Sequence, residues 1–291
     1  MFNALWVAKT GMEAQDFRVS TISNNLANAA TTAFKKDLAH FTSLGYTQLR
    51  GKGATTETGT TSVGSVYVGH GVQLSDTSKV HSQGSIKDTE SDTDFMVGGE
   101  GYFVLVDDAG ELSYTRDGHF ELVEDPAAAD SFNLVHVATN LKLVAVNAET
   151  GGVSENVGNT AMQLTPPGGA TVLGPMTLDR TGEMLMETTS GDVSFATPQF
   201  LPLARFGAKD GLVLQPGNIF KDDAARTGGA TYYAGRPDAG FGSIRQSVLE
   251  VSNVTVIDEM VNMIEAQRSY EMGAKVMSKT DEMMSALIQR T

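Results

Sequence analysis

The residue types that most often carry chemistry are sparse in this chain and form no familiar constellation. There is no cysteine, which excludes disulfides, thiolate metal sites and thiol catalysis. The histidines show no metal-ligand spacing, and neither an HExxH nor a GxSxG pattern occurs. These histidines are His40, His70, His81, His119 and His136. The sequence therefore predicts no catalytic residue, no metal centre and no cofactor, and we expect each histidine to be a polar surface or hydrogen-bonding residue.

Four carboxylates alternate with other residues along one short stretch, at Asp88, Glu90, Asp92 and Asp94. In an extended chain they would share one face. Such a face could bind calcium, which prefers clustered oxygen ligands. The alternative, which we favour, is a solvated acidic edge that discourages unwanted strand pairing.

Composition limits the class of protein. Of the 291 residues, 41% are hydrophobic, which is enough for cores in two or three modest domains. The formal net charge of −14 would be repelled by nucleic acid, so we predict no nucleic-acid partner. No run of about 18 apolar residues occurs, so no transmembrane segment is expected. The short apolar run that begins at Leu5 stops at Lys9 and does not resemble a secretory signal, so export would use a route without a cleaved signal.

Glycine and proline are placed very unevenly. Of 31 glycines, 29 lie between Gly45 and Gly242, and all eight prolines lie between Pro126 and Pro237. Because both residues break helices and mark turns, the sequence predicts a helical head, a turn-rich middle and a helical tail.

The head carries an apolar stripe with a period near 3.5 residues, which is typical of a helix that packs along a partner helix. Asn3 is predicted to be its N-cap. The positions of the stripe are Leu5, Ala8, Met12, Gln15, Val19, Ile22 and Leu26.

The tail repeats this pattern. Thr255 and Asp258 resemble a capping box at its start. Ile257, Val261 and Ile264 widen the apolar face, which indicates contact with more than one neighbour. The stripe itself runs through Val256, Met260, Met263, Gln267, Tyr270, Ala274, Met277, Asp281, Met284 and Ile288.

Each stripe alone is also compatible with an ordinary surface helix on a globular core. Two such helices at opposite ends of the chain, around a middle of different character, favour mutual pairing and assembly. Two paired helices must offset a backbone ordering cost of about 1–2 kcal/mol per residue, so packing against further copies would stabilise them. We therefore expect them to be mobile in the isolated monomer.

The middle predicts an extended or irregular arm followed by strands. Gly45 to Ser78 is rich in glycine, threonine and serine, whereas Tyr102 to Val106 and Glu111 to Thr115 are dense strand patterns around a turn. Phe132 to Val146 and Ala170 to Thr188 offer further strands. The predicted fold class is α+β, with terminal helices forming a coiled-coil-like layer, an extended arm and an all-β middle domain.

The predicted segments follow this division along the chain. They are 1–36 for the N-terminal helix of an inner core domain, 37–80 for a connecting arm, 81–231 for a β-rich outer domain, 232–247 for a return connection and 248–291 for the C-terminal helix of the core domain.

Short motifs at both ends resemble the signatures of the bacterial flagellar rod and hook proteins. The N-terminal motif comprises Asn24, Asn25, Leu26, Ala27, Asn28, Thr32, Ala33, Phe34 and Lys35. The C-terminal motif comprises Val251 to Val254, Glu259 to Ile264 and Gln267 to Glu271. Further islands at Leu5 to Met12, His81 to Gly84 and Tyr114 to Gly118 are most similar to the distal-rod branch of this family.

This resemblance implies a structural subunit that polymerises into a rigid helical tube, transmits torque from motor to hook and encloses the export channel. It implies as partners other copies of the chain, the proximal rod proteins, the hook protein, the surrounding P-ring and L-ring and the flagellar type III export apparatus. The implied location is the periplasm-spanning rod of the basal body. The stretch from Tyr46 to about Gly71 corresponds to one that stiffens the rod and is absent from hook proteins.

The predicted assembly seam joins the two terminal helices. Asn24, Asn25 and Asn28 are expected to bond to backbone or to neighbouring subunits, or simply to cap the first helix. Ala33 stands where the family usually has glycine, so a positive φ there would be strained. The seam residues are Leu5, Met12, Val19, Ile22 and Leu26 against Met260, Met263, Tyr270, Met277 and Met284.

Three rival functions remain open from the sequence. The first is a hook or proximal rod protein of the same family, and the second is a secreted calcium-binding adhesive module built on the acidic stretch at Asp88 to Asp94. The third is an enzyme whose site is assembled from scattered carboxylates.

Overall fold

A computed structural model describes most of the chain. The described residues are 2–50, 65–125, 131–147, 152–154, 161–164, 176–179, 183–188, 191–194, 199–234 and 241–289. Residues 51–64 of the predicted arm and 170–175 and 180–182 of a predicted strand region lie outside them.

The protein has an α+β fold that divides into two compact units. The first unit contains Met1–Ala29, Lys36–Val80 and Val254–Thr291, and the second contains Ala30–Lys35 and His81–Asn253. The chain therefore enters the second unit twice, once through a six-residue segment and once through the long middle.

Two long helices belong to the first unit, α1 at Phe2–Ala27 and α3 at Val256–Ile288. Both sequences lack proline and carry a single glycine each, so the helical hydrogen-bond ladder is uninterrupted. None of the helices in the described part of the chain is both long and apolar enough to cross a membrane.

The N-cap prediction was wrong for Asn3 but was confirmed for the position of Thr255. Asn3 lies inside α1, because the helix already begins at Phe2, and its side chain instead donates to the carbonyl of Gly69 over 3.4 Å. Thr255 is the N-cap residue of α3 with extended backbone, but its side chain makes no capping hydrogen bond. The acidic first turn, with Asp258 and Glu259, still complements the helix dipole.

The predicted arm is more regular than expected where it is described. Strand β1 (Asp37–Ser43) pairs antiparallel with β4 (Val72–Lys79), and β2 (Tyr46–Arg50) pairs antiparallel with β3 (Val66–Gly69). Its many threonines and serines suit such two-stranded ribbons, since alternate side chains face water.

The second unit is rich in strands, as predicted, but its described part is not purely β. Helix α2 (Ala224–Thr227) is capped by Asp223, whose side chain accepts from the amide of Ala225, and ends at Gly228 in the left-handed conformation. A single turn of 3-10 helix at Lys209–Gly211 precedes it. Local capping chemistry of this kind is too short to show as a hydrophobic period.

The strands of the second unit are short and mostly antiparallel neighbours. In chain order they are β5 (Ile86–Asp88), β6 (Phe95–Gly98), β7 (Tyr102–Val106), β8 (Leu112–Thr115), β9 (Phe120–Glu124), β10 (Phe132–His136), β11 (Lys142–Leu143), β12 (Val146–Asn147), β13 (Gly152–Ser154), β14 (Gln163–Leu164), β15 (Met176–Leu178), β16 (Met184–Thr188), β17 (Gly191–Ser194), β18 (Gln199–Phe200), β19 (Pro202–Phe206), β20 (Val213–Gln215), β21 (Ile219–Lys221), β22 (Ala230–Ala234), β23 (Ser243–Gln246) and β24 (Val248–Glu250).

Strand β7 lies at the centre of the largest described sheet and is buried on both faces. It pairs with β8, β11 and β19, and all five of its side chains are buried. The turn predicted before β8 forms because Oδ1 of Asp107 accepts from the amides of Ala109 and Glu111, over 3.0 and 2.7 Å. The dense strand pattern at Tyr102 to Val106 is thus confirmed.

Candidate assembly interface

Helices α1 and α3 pack against each other in antiparallel orientation within the first unit. Arg18 pairs with Glu265 over 3.7 Å, and a Cβ added to Gly273 would lie 2.8 Å from Cγ of Met12. Because low-numbered residues of α1 meet high-numbered residues of α3, the chain ends run alongside each other in opposite directions. A larger residue at 273 would require the side chain of Met12 to shift.

The predicted seam residues all lie on α1 or α3, and the single chain buries them to different extents. On α1, Ile22 is buried and Leu5, Met12, Val19 and Leu26 are partly buried. On α3, Met263, Met277 and Met284 are partly buried, but Met260 is 51% exposed and Tyr270 is 45% exposed. The last two residues are thus about half exposed in the single chain, and their part in the assembly seam stays a prediction.

The buried positions of α3 are small or polar rather than apolar. They are Glu259, Ala266 and Thr280, with Gly273 partly buried at the same helical period. The wide apolar face predicted for the tail is instead left uncovered. It forms an outer stripe of half-exposed side chains, namely Ile257, Val261, Ile264, Met272, Val276, Met283 and Leu287.

A polar junction joins the C-terminal end of α1 to β1 and α3. Asn25 is buried, and its side chain donates to the carbonyl of Asp37 over 3.0 Å and accepts from the amide of Asp37 over 2.8 Å. The side-chain Nδ2 of Asn25 also donates to Oε2 of Glu259 over 3.4 Å. Lys36 forms an ion pair with the buried Glu259. The side chain of Asn25 thus bonds to both backbone groups of Asp37, as a neighbouring strand would, and fixes the direction in which the chain leaves α1.

The other two asparagines of the motif also bond within the chain. Asn24 donates to Oδ2 of Asp37 over 3.0 Å, and the side chain of Asn28 donates to the carbonyl of Asn24 over 2.9 Å. Lys79 completes this cluster with an ion pair to Asp37 over 2.8 Å. The capping and turn-forming alternative therefore describes Asn28, whereas Asn24 and Asn25 hold β1.

The later part of the N-terminal motif, from Thr32 to Lys35, belongs to the second unit. Lys35 is 1% exposed, and its Nζ lies 2.5 Å from Oε1 of the fully buried Glu250 and donates to the carbonyl of Ser82 over 2.8 Å. Oε1 of Glu250 also accepts from the amide of Gly84, and Arg116 approaches its other oxygen at 3.6 Å. Burial lowers the pKa of Lys35 from its ordinary value, while Glu250 acts in the opposite direction.

Backbone bonds complete the attachment of this segment. The amide of Ala33 donates to the carbonyl of Glu250 over 2.8 Å, and the amide of Asn253 donates to the carbonyl of Phe34 over 3.3 Å. Ala33 is buried with φ of 52°, so alanine does occupy a left-handed position where glycine would be relaxed. Sequence reasoning missed Glu250 altogether, although a lone carboxylate between Leu249 and Val251 signals a buried charge with a hidden partner.

The acidic stretch does not form the single face expected of it. Strand β5 ends at Asp88, and Glu90 has φ of 58°. Asp94 is buried against His119, and Nδ1 of His119 lies 2.8 Å from Oδ1 of Asp94. The left-handed residue breaks the extended alternation that the prediction assumed. Within the ranges that the structure describes, no three His, Asp or Glu side chains are grouped so as to hold a metal ion.

Comparisons with known proteins match both ends and the full length. A family described as "Flagella basal body rod protein" matches residues 5–35, and one described as "Flagellar basal body rod FlgEFG protein C-terminal" matches residues 245–290. The flagellar basal-body rod protein FlgG of Borreliella burgdorferi is 32% identical over 286 residues, covering 98% of this chain and 97% of the relative.

Two further relatives show the range of the similarity. FlgG of Buchnera aphidicola from Schizaphis graminum is 30% identical over 289 residues, covering 99% of this chain and all of the relative. The flagellar hook protein FlgE of Helicobacter mustelae is 37% identical over 122 residues, which is 41% of this chain and 27% of that protein.

Proposed function

The chain belongs to the flagellar basal-body rod protein family, and on that premise we propose that it builds the distal part of the rod. It is a structural subunit of the rod. In the proposed assembly, many copies form a rigid helical tube that transmits torque from motor to hook and encloses the export channel. The proposal is supported by similarity to FlgG proteins over essentially the whole length of the chain.

The exposed outer stripe of α3 is the structural observation that best supports self-assembly. Its seven apolar side chains are about half exposed or more, although burial of each would contribute roughly 1.5–3 kcal/mol. A contiguous apolar face of this kind marks a protein interaction site. Since the stripe runs along the helix and away from the side that packs on α1, additional copies are its natural cover.

The proposed partners follow from this position in the flagellum. They are the proximal rod proteins on one side, the hook protein on the other, the P-ring and L-ring around the tube and the flagellar type III export apparatus that would deliver the chain. The basal body is the location of the family, and we propose the periplasm-spanning part of the rod for this member.

A hook protein is the second candidate, because the similarity to FlgE of Helicobacter mustelae covers 41% of this chain. Removal of residues 46–71 distinguishes the distal-rod function from the hook function. A distal-rod subunit without this stretch should form more flexible tubes, because contacts between subunits are lost, whereas a hook subunit should be unchanged. Electron micrographs of bending along the tube give the measurement.

The outer stripe can be tested without disturbing the fold. In Ile264→Asp a charge replaces a half-exposed apolar residue, so the monomer should stay folded while growth on purified rod templates is lost. Gln267→Asp, one turn along at an exposed polar position, is the matched control and should elongate the templates normally. Normal growth of the Ile264→Asp protein, measured by electron microscopy, would contradict assembly through α3.

A further inference from the structure

Three side chains with complementary reactivity meet at the junction between α1, β1 and α3. Oε1 of the buried Glu259 forms an ion pair with Nζ of Lys36, and its Oε2 accepts from Nδ2 of Asn25 over 3.4 Å. One carboxylate therefore bridges a primary amine and a side-chain amide. All three residues belong to the first unit, and the side chain of Lys36 is only 27% exposed.

These three groups are the ones needed to form an amide bond between two side chains. A lysine amine is a nucleophile only when it is neutral. Because burial disfavours charged groups, the proton shared by Lys36 and Glu259 can pass to the carboxylate, which leaves a neutral amine beside a neutral carboxylic acid. The common carboxyl group also holds the amine near the amide, so no bimolecular encounter is required.

The carbonyl group of Asn25 is already polarised for attack. Its Oδ1 accepts a hydrogen bond from the backbone amide of Asp37 over 2.8 Å. When an amine adds to Cγ, negative charge develops on this oxygen, and a fixed N–H donor stabilises that charge. The amide of Asp37 is therefore placed as an oxyanion-hole donor would be.

A cavity beside the three residues provides room for a leaving group. It has a volume of about 380 Å³, and Asn25, Lys36 and Glu259 all contribute to its lining. Ammonia is similar in size to a water molecule, which occupies about 30 Å³ in the liquid. The cavity is therefore large enough to receive an ammonia molecule released from Asn25.

We propose that Lys36 and Asn25 become joined by a self-catalysed isopeptide bond. Lys36 first gives a proton to Glu259, and its Nζ then attacks Cγ of Asn25. Glu259 passes that proton to Nδ2 and takes the second proton that Nζ loses. The Cγ–Nδ2 bond breaks, and the departing ammonia takes the last proton from Glu259 and leaves as ammonium. The reaction consumes no oxidant and no other reactant.

The bond closes a covalent loop between the end of α1 and the start of β1. This loop contains Ala30–Lys35, the short segment that belongs to the second unit. A cross-link restricts the unfolded chain, so the linked protein should have a higher thermal midpoint than the unlinked protein. The bond forms within a single chain and does not depend on the proposed function.

Mass spectrometry of the folded full-length chain tests the bond directly. The linked protein should be lighter than the mass calculated from its sequence by one ammonia molecule. Trypsin cuts after arginine and unmodified lysine, so the digest should contain residues 19–35 joined to residues 36–50. A folded chain with the full sequence mass would overturn the proposal.

The same digest distinguishes the bond from a succinimide. If the backbone amide of Leu26 attacked Cγ of Asn25, the same mass would be lost, but the two peptides would remain separate. That result would also overturn the proposal. Lys35 is an internal comparison, because its partner Glu250 accepts from the backbone amide of Gly84, which has no ammonia to release. Trypsin should therefore still cut after Lys35.

Lys36→Arg separates the isopeptide bond from the ion pair. Arginine keeps the positive charge beside Glu259, so helical content should be preserved, but a guanidinium that stays protonated is no nucleophile and the full sequence mass should return. Lys279→Arg alters an exposed pair with Glu282 over 2.7 Å and is the matched control, which should retain the bond. Loss of ammonia from the Lys36→Arg protein would contradict attack by Lys36.

The reaction should also depend on the fold and on the carboxyl group. Wild-type protein purified in urea without prior folding should have the full sequence mass and should lose ammonia after refolding. Glu259→Gln keeps the shape of the side chain but cannot carry a proton, so the refolded variant should link about ten-fold more slowly or less. Linking at the wild-type rate in this variant would overturn the role assigned to Glu259.

Discussion

The two units of this chain treat their apolar side chains in opposite ways. In the second unit, Phe95, Phe103 and Leu105 lie wholly out of water in one cluster. In the first unit, Ile257 and Met272 remain largely exposed on α3. The second unit therefore gains its hydrophobic stabilisation within one chain, whereas in the proposed assembly the first unit would gain much of its own stabilisation from other copies.

Two neighbouring lysines illustrate the same division. Lys35 pairs with Glu250 inside the second unit, and Lys36 pairs with Glu259 inside the first. Each ion pair joins the N-terminal part of the chain to the C-terminal part. Each unit therefore has its own buried ion pair, and the two lysines are adjacent in sequence where the chain passes from the second unit to the first.

The largest effect is expected when the buried charge of Glu250 is removed from the second unit. Glu250→Gln leaves Lys35 and Arg116 without their buried counter-charge, so the unit should lose about 3–5 kcal/mol of unfolding free energy. The measurement is native-state hydrogen exchange of the β7 amides. Fluorescence of Trp6, the single tryptophan, reports on the first unit and should change much less.

Glu111→Gln is the matched control for this variant. Its carboxylate pairs with Lys221 over 3.0 Å at the surface, where such a pair contributes at most about 1 kcal/mol. Equal losses in the two variants would show that the buried pair does not close the unit.

The next prediction compares one substitution in both units. Leu105 is fully buried and Leu287 is 51% exposed. Leu105→Ala should cost about 2–5 kcal/mol of unfolding free energy because it opens a cavity in the core, whereas Leu287→Ala in the monomer should change it by no more than about 0.5 kcal/mol. Urea unfolding of the monomer gives both values. A large loss at Leu287 would mean that the outer stripe is already covered within the chain.

A smaller effect depends on pH and concerns the second unit. Burial, with nearby Lys209 adding to it, lowers the pKa of His81 from 6.5 to about 4, and the ring lies 3.0 Å from the hydroxyl of Tyr102. Since the folded state binds the proton more weakly than the unfolded state, the stabilisation is complete above the unfolded pKa. It is lost as the pH falls from about 6.5 towards 4.

Allowing for the partial exposure of the ring, roughly 2 kcal/mol should be lost across that window. His81→Gln removes the titrating group, so its urea midpoint should fall less over the same pH range. Parallel pH profiles for the two proteins would rule out His81 as the source of the dependence.

The features predicted correctly from the sequence are those encoded locally. The period near 3.5 residues marks both long helices, and the clustering of glycine and proline marks the strand-rich middle. The apolar surplus around Ile257 to Ile264 was also visible as a face too wide for a single partner. That these residues mediate assembly stays a prediction.

The features that the sequence did not reveal depend on distant partners. Lys35 and Glu250 lie 215 residues apart, and no local pattern links them. Thr255 has the spacing of a capping box and is the N-cap residue, but its side chain makes no capping hydrogen bond. Met260 and Tyr270 fit the period of the tail, yet the α1 partner contacts the face with small and polar residues instead.

The smallest effect is expected from relief of backbone strain at Ala33, in the segment Ala30–Lys35 of the second unit. Ala33 has φ of 52°, which costs alanine about 1–2 kcal/mol. Ala33→Gly removes this strain, but it also removes a buried methyl group worth about 0.8 kcal/mol and makes the unfolded chain more flexible by about 0.5–1 kcal/mol. The three contributions nearly cancel, so the unfolding free energy should change by less than about 1 kcal/mol.

Ala204→Gly is the control that separates strain from the other two contributions. Ala204 is fully buried in β19 of the same unit and its φ is not positive, so only the methyl and flexibility losses remain, about 1–2 kcal/mol. The difference between the two variants, measured by urea unfolding, is therefore the strain stored at Ala33. Equal losses would mean that alanine is as relaxed as glycine at this turn, and the departure from the family's glycine would then carry no energetic cost.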